Sequence, residues 1–396
     1  MNILYFADTR FPIERANGVQ TMATCHALAS RGHKVTLLAR PDTTEPPRDP
    51  FVFYDWPRIP QFRIDVISGP RNPRARRAQF LLAALRRIVS ARADVVMTRD
   101  LGLAAFMLQL PAQRRSPLLY ESHGVSVIVS AEMPKLLGKP ALEPSRQKLR
   151  RLDRRERRVW RRAEAYVTIT RALCDELASR YGPREHVFVV PDGVRLTADD
   201  AEAAVSATSP PRGIAGYAGH LYPWKGVDIF VNALALTPGL RGLIVGGHPD
   251  EPDRARVETL VRDLGLSDRV EITGLVPPSE VQPRLRAATM LILPNAKSAV
   301  SERYTSPLKL FEYLSLGRPI IASDLPSIRE VLTDGRTALL VPAGDVTALA
   351  AAMSKIAGDA ALGSRLGTAA RAIAPEYSWD KRAERLEAAL QAAIAR

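Results

Sequence analysis

The sequence predicts an α/β protein made of two doubly wound domains, each a parallel sheet with helices on both faces. Three observations predict it. Short apolar runs alternate with amphipathic stretches along nearly the whole chain, which is the pattern of strand–helix–strand units. The alternation pauses once, from Thr197 to Arg212, a stretch rich in Ala, Ser and Pro, and then restarts. With 396 residues, 46% of them hydrophobic, the chain has the material for two cores.

In the first half the expected strands are Ile3–Ala7, Val35–Ala39, Asp94–Met97, Leu118–Tyr120, Tyr166–Ile169 and Val187–Val190. Each is apolar on successive residues, as strands covered on both faces are. Val19–Arg31 and Ala75–Ser90 have helical periodicity. In the second half the strands are Gly213–Ala218, Leu243–Val245, Val270–Ile272, Met290–Leu293, Pro319–Ala322 and Ala338–Val341. The last helix runs from about Asp380 to Ala393, with Ala383, Leu386, Ala389, Leu390 and Ala393 on one packing face. The expected domains are 1–195 and 196–375, followed by a closing helix, 376–396.

Composition narrows the function classes. Cys25 and Cys174 are expected to be reduced thiols, since two cysteines make no disulfide framework and show no metal spacing. Met1–Ala7 reads as a strand rather than a secretory leader. The longest apolar run, Leu101–Leu110, is too short to span a bilayer and reads as a buried helix. A cytoplasmic protein is expected, free or bound to the cytoplasmic face of a membrane. Residues 1–190 hold 33 Lys+Arg against 18 Asp+Glu, whereas residues 191–396 hold 23 against 24. The densest run, Arg146–Arg162, has ten basic residues opposed by Asp153 and Glu156; Arg71, Arg74, Arg76 and Arg77 form a second cluster. Such a face is either a solvated helix or a surface for anionic lipid or an acidic substrate, and nucleic acid is not expected.

In doubly wound sheets ligands bind beyond the carboxyl ends of the strands, so chemistry is expected in the loops there, lining a cleft between the domains. After the first strand, Gly18-Val19-Gln20-Thr21 opens a helix, and a glycine at that point admits a ligand to free N–H groups. After Leu118–Tyr120 comes Glu121-Ser122-His123-Gly124; His123 is placed to donate to a sugar hydroxyl or to act as acid or base. After Gly213–Ala218 come Gly219 and His220, then Tyr222-Pro223-Trp224-Lys225-Gly226, with Lys225 at a helix start where it can neutralise a diphosphate. Next, Ser306 is a good N-cap and Pro307 a good first helical residue, with Gly317 as terminator. Glu312 lies one turn beyond Leu308 on the same face, suited to accepting both hydroxyls of a ribose, and Thr305 and Lys309 also face that ligand.

These loops, in this order, resemble family 4 of the GT-B glycosyltransferases. The matching pieces are Asn17-Gly18-Val19, Glu121-Ser122-His123-Gly124, Pro191-Asp192-Gly193-Val194, Gly219…Lys225-Gly226, Ser306-Pro307-Leu308-Lys309-Leu310-Phe311-Glu312, Asp345 and the closing Ser378-Trp379. The resemblance implies two Rossmann-like domains facing a cleft, and a retaining transfer of sugar from a UDP- or GDP-sugar to a glycan or lipid-linked acceptor. It implies no cofactor and no metal. Lys225 would bind the diphosphate, Glu312 the ribose, and the Thr305–Leu308 backbone the phosphates or the sugar. His123 would contact the sugar near the reacting carbon, Gly18 would line the acceptor side, and Thr273 and Gly274 would sit near the base. The chain departs from the family pattern in three places. Tyr304 stands where a glutamate is common, His220 where an arginine is usual, and Pro307 where glycine is common. Glu302 or Thr305 is then expected to take over the sugar contact. The alternatives are a donor-binding protein without catalysis and a sugar-nucleotide epimerase.

Overall fold

Ile3 to Ala7 pair residue for residue with Val35 to Ala39 on one side, and Ile3 to Phe6 with Val95 to Thr98 on the other, all parallel. Ile3, Leu4, Tyr5 and Phe6 are all buried, so this strand is covered on both faces, as its unbroken apolar run requires. The computed structural model describes residues 1–90, 93–196, 213–249 and 251–395; the expected pause at Thr197–Arg212 lies outside them.

The described chain divides into two units. The first comprises Met1–Ala131, Glu143–Asp192 and Trp379–Arg396; the second comprises Glu132–Leu142 and Gly193–Ser378. The first unit holds β1 (Asn2–Arg10), β2 (Lys34–Arg40), β3 (Phe62–Val66), β4 (Val95–Thr98), β5 (Leu118–Ser122), β6 (Ala165–Thr168) and β7 (Val187–Val189), in the order β3-β2-β1-β4-β5-β6-β7. The second holds β8 (Ile214–Ala218), β9 (Arg241–Val245), β10 (Val270–Ile272), β11 (Met290–Leu293), β12 (Ile320–Ser323) and β13 (Leu339–Val341), in the order β10-β9-β8-β11-β12-β13. In each sheet the strand order reverses beside its first strand, between β1 and β4 and between β8 and β11. This is where doubly wound sheets leave a crevice for ligands.

One strand escaped the sequence reading. β3 alternates Phe62 and Ile64 with Arg63 and Asp65 and ends on an exposed Val66. It lies at the sheet edge, paired only with β2. Edge strands carry charges that discourage further pairing, and those charges hide the apolar run.

The helix Ala16–Ser30 starts three residues before the expected Val19, so Gly18 lies within its first turn rather than at its mouth. The Gly18 N–H already donates to the Arg15 carbonyl. A Cβ at Gly18 would meet the Tyr54 hydroxyl at 2.2 Å and the Ile13 carbonyl at 2.6 Å. Glycine is needed here for packing, because the space a side chain would take is filled by Tyr54 and Ile13.

The basic run forms one helix, Arg146–Arg162, capped by Ser145. It buries Glu156, Val159 and Trp160 and exposes nine of its ten basic residues, all but Arg155. Arg77, by contrast, is drawn into ion pairs with Asp8 and Asp100, so the second basic cluster is partly neutralised. Among the described residues no helix is long and apolar enough to cross a membrane.

The C-terminal helix Trp379–Ile394 belongs to the first unit and buries Ala383, Leu386, Ala389, Leu390 and Ala393. Its polar face is anchored too. Arg31 of the helix Ala16–Ser30 C-cap pairs with Glu387 at 2.9 Å and with Asp380 at 3.1 Å.

Candidate functional site

In the second unit the loops after β8 and β11 meet at the point where strand order reverses. Gly226 has φ +70°, a conformation that only glycine adopts without strain, and a Cβ there would lie 1.7 Å from the Pro294 carbonyl oxygen just past β11. The Ala296 N–H donates to the Trp224 carbonyl at 3.1 Å. These contacts pin the turn Pro223–Lys225 against the end of β11. The ends of β8 and β9 are equally close: the Gly219 N–H donates to Val245 O at 2.8 Å, and a Cβ on Gly246 would strike the Gly219 carbonyl at 2.2 Å.

The helix after this junction runs Leu308–Leu316 and ends at Gly317. It begins one residue later than expected. Pro307 is the N-cap, with an extended ψ of 125°, and Ser306 lies outside. The Leu310 N–H donates to the Pro307 carbonyl at 2.9 Å, so the first turn closes on that carbonyl rather than on a serine side chain. Tyr313 fixes the helix to both strands. Its hydroxyl accepts from the Ala218 N–H of β8 at 2.9 Å and donates to the Ile292 carbonyl of β11 at 3.3 Å. Nothing local in the sequence marks Tyr313, which lies next to Glu312 and meets strands 95 and 21 residues away.

This anchoring brings Lys225, Lys309 and Glu312 together. Lys309 feels the charges of both Lys225 and Glu312. Burial lifts the Glu312 carboxyl to about 7 against the pull of Lys309. Burial also lowers the Lys225 ammonium to about 8. The Lys309 ammonium is pushed well below its ordinary value by burial and by Lys225, with Glu312 opposing. A desolvated pocket with more cationic than anionic groups suits an anion.

His220 does not join them. Its Nδ1 lies 3.1 Å from Glu251 Oε2, and its ring stacks on Tyr222 at 4.9 Å, which stacks in turn on Trp224 at 4.5 Å. Tyr222 also donates to Glu251. His220 is thus paired through Nδ1 with a carboxylate 31 residues away. Thr273 accepts from the Gly246 N–H at 3.2 Å and donates to the Gly274 carbonyl at 2.9 Å, so it ties the β9 and β10 ends together. Glu302 sits in the short helix Ala299–Arg303, 3.8 Å from Lys297, and the Thr305 hydroxyl donates to the Val300 carbonyl at 3.1 Å. Tyr304 and Pro307 are buried, whereas Leu308 is half-buried.

The first unit has its own polar cluster at the end of β5. Glu121 is wholly buried, and its Oε1 accepts from Gln20 Nε2 at 2.6 Å, His123 Nε2 at 2.6 Å and Arg382 Nη2 at 2.7 Å. Burial opposes ionisation of Glu121, but Arg382, and then the bond from His123, hold it well below the usual carboxylate range. The ionised carboxylate only accepts, so His123 Nε2 carries the proton. Burial and Arg99 lower the His123 pKa against the opposing pull of Glu121, which leaves a neutral ring whose Nδ1 is an acceptor. The sequence reading allowed His123 to donate; in this arrangement its one proton is committed to Glu121. Arg99 donates to Gln20 Oε1 at 2.6 Å and completes the cluster. Arg382, 261 residues from Glu121, left no local signal in the sequence.

Residues 17–193 match the family described as "Glycosyl transferase 4-like domain", and residues 212–359 match "Glycosyl transferases group 1". A D-inositol 3-phosphate glycosyltransferase of Nocardia farcinica is 29% identical over 295 residues, 71% of this chain and 62% of the relative. One from Mycolicibacterium smegmatis is 29% identical over 274 residues, 66% of this chain and 59% of the relative. The chain thus aligns with about 60% of the length of these curated relatives. Among solved structures, sucrose-phosphate synthase from Thermosynechococcus elongatus superposes with a TM-score of 0.76 at 21% identity, covering 100% of both chains. Anabaena HepE in complex with UDP and glucose gives 0.73 at 16% identity, covering 99% of each chain. With both units matched in sequence and the two parallel sheets matched in structure, the chain belongs to the group 1, family-4-like glycosyltransferases and has the GT-B fold.

Proposed function

We propose that the protein is a retaining glycosyltransferase that moves a sugar from a nucleoside-diphosphate sugar, UDP- or GDP-linked, to a glycan or lipid-linked acceptor. The observation that carries this reading is geometric: at the β8–β11 reversal point the turn bearing Lys225 is pinned against Pro294, Lys309 Nζ lies beside Gly219, and Tyr313 ties the helix that bears Lys309 and Glu312 to both strands. Glu312 would accept the ribose hydroxyls. Lys225 would stabilise the charge that grows on the departing diphosphate, which is where preorganised cations contribute most to rate. The acceptor hydroxyl would approach the face that the diphosphate leaves and pass its proton to a phosphate oxygen. His123, accepting through Nδ1, would orient a hydroxyl of the donor sugar. Thr273 and Gly274 would lie near the base, and the Thr305–Leu308 backbone near the phosphates.

A panel of nucleotide sugars tests the reading. Slow release of free nucleoside diphosphate without acceptor is expected from one of them. Isomerisation without release would instead identify an epimerase, and binding with neither reaction a donor-binding protein.

The donor kinetics should depend on pH in a defined direction. Below about 7 Glu312 becomes protonated and loses its acceptor charge; above about 8 Lys225 loses its positive charge. The kcat/KM for the donor is expected to peak between these values, since it reports groups of the free enzyme. A profile flat from pH 6 to pH 9 would separate both residues from catalysis.

The vacant role of the glutamate replaced by Tyr304 goes in this reading to Glu302. Glu302→Ala is expected to lower kcat about tenfold or more, as loss of a charge-assisted hydrogen bond does. Unchanged steady-state kinetics would assign the sugar contact elsewhere.

The exposed basic face of Arg146–Arg162 supports docking to an anionic membrane surface that presents a lipid-linked acceptor. The protein is expected to sediment with vesicles rich in phosphatidylserine at low salt and to be released at about 0.5 M salt, where screening is strong. Arg154→Glu with Arg158→Glu should weaken this binding. Absence of sedimentation at low salt would remove the membrane from the account.

A further inference from the structure

The family pattern puts an arginine at position 220 to help neutralise the diphosphate, and this chain has a histidine held by Glu251. Paired with the Glu251 carboxylate, position 220 brings less net positive charge to the site than that arginine would, and another element can supply it. Lys309 is only 8% exposed, and its Nζ has no hydrogen-bond partner among the described residues. It points across the first turn of the helix Leu308–Leu316 towards the Gly219 turn. A Cβ placed on Gly219 would lie 3.2 Å from the Nζ. The ammonium rests on the Tyr217 ring, 3.7 Å from its centroid. That contact partly replaces lost water for a cation, but leaves its three N–H donors without acceptors.

A buried ammonium with no acceptor is costly unless a ligand completes it. Two ammoniums beside a single carboxylate leave an excess of positive charge, and the carboxylate has its own use. A ligand carrying two adjacent phosphates fits both: its oxygens would satisfy Lys225 and Lys309, while Glu312 remains for a vicinal diol.

We infer that Lys309 is the second diphosphate-binding cation of this protein, supplied by the helix Leu308–Leu316 in place of the residue at position 220. The inference rests on the proposed nucleotide-sugar site and refines it. The binding pocket is then a relocated charge pair, Lys225 with Lys309, on the two elements that flank the β8–β11 reversal. The Gly219 turn lies against Lys309 without a side chain, which lets the ammonium approach the turn closely.

Calorimetric titration of the full chain with UDP, GDP and ADP, and with the matching monophosphates, tests this. Wild type is expected to bind one diphosphate more tightly than its monophosphate. Lys309→Met is expected to lose about 10- to 100-fold in diphosphate affinity, the range for a hydrogen bond to a charged group. Its preference for diphosphate over monophosphate should shrink with it. Lys309→Gln, which keeps a polar end, serves if the methionine variant melts at a much lower temperature than wild type. Variants that bind the diphosphate as wild type does would overturn the inference and leave the nucleotide site standing. Equal losses for mono- and diphosphate would overturn it too, by showing a merely structural lysine. If wild type binds none of the three diphosphates, the site itself is refuted, and the role of Lys309 with it.

Discussion

Replacing Lys225 by methionine is expected to lower kcat for sugar transfer by about 10²- to 10³-fold, the cost of removing one group that stabilises charge in the transition state. The turn that carries it is held by backbone contacts, Gly226 against Pro294 and Ala296 against Trp224, so the substitution removes the charge without removing the scaffold. Methionine keeps most of the apolar length of the side chain. Glu312→Gln should act differently. A ribose contact is made in the ground state and in the transition state alike, so its loss raises KM for the donor with a smaller change in kcat. Steady-state kinetics of the two variants, with melting temperatures to verify folding, separates these roles. Equal effects on kcat and KM from both would show that the two residues act together as a structural pair instead.

Arg382→Met is expected to be the most destabilising single substitution at the first unit's cluster, by about 3–5 kcal/mol, since it leaves a buried carboxylate without its cation. Arg382 and Glu121 are both essentially inaccessible, and their bond is 2.7 Å. The pH dependence follows from the direction of the Glu121 shift. In the native protein its pKa is depressed, so its contribution to stability is present above the unfolded value and is lost as pH falls through the folded one. Without Arg382 the desolvation of Glu121 prevails and the shift reverses. The variant should then lose less stability than wild type on acidification from pH 7 to pH 5. Removing both charges, Arg382→Met with Glu121→Leu, should cost less than the sum of the single substitutions. Chemical denaturation at the two pH values measures all of this; additive losses would mean that the pair is not coupled.

The parts of the fold that were legible in the sequence are those whose environment is uniform along the chain. β4 and β11 are buried along their lengths, β8 from Ala215 to Ala218 and β1 from Ile3 to Phe6, and burial on both faces writes itself as a continuous apolar run. β3 was illegible because an edge strand carries Arg63 and Asp65. The placement of Lys225 after β8 and of Glu312 after β11 was legible because each follows a strand end and a turn signal. The partners that decide how the sites work were not. Glu121 meets Arg382 across 261 residues, Ala218 meets Tyr313 across 95, and His220 meets Glu251 across 31. No local spacing records such pairs. His220 shows the consequence, because a residue placed correctly in its loop can still be claimed by a side chain from another. Gly18 makes the same point for backbone: Tyr54 and Ile13, which fill the space a Cβ would take, leave no local mark beside it in the sequence.

The most direct measurement is a crystal structure of the protein with whichever nucleoside diphosphate its donor assay selects. Phosphate oxygens are expected within hydrogen-bonding distance of the Lys225 ammonium and both ribose hydroxyls on the Glu312 carboxylate, in one pocket beyond β8 and β11. A nucleotide bound away from the carboxyl ends of those strands, with Lys225 and Glu312 untouched, would contradict this expectation.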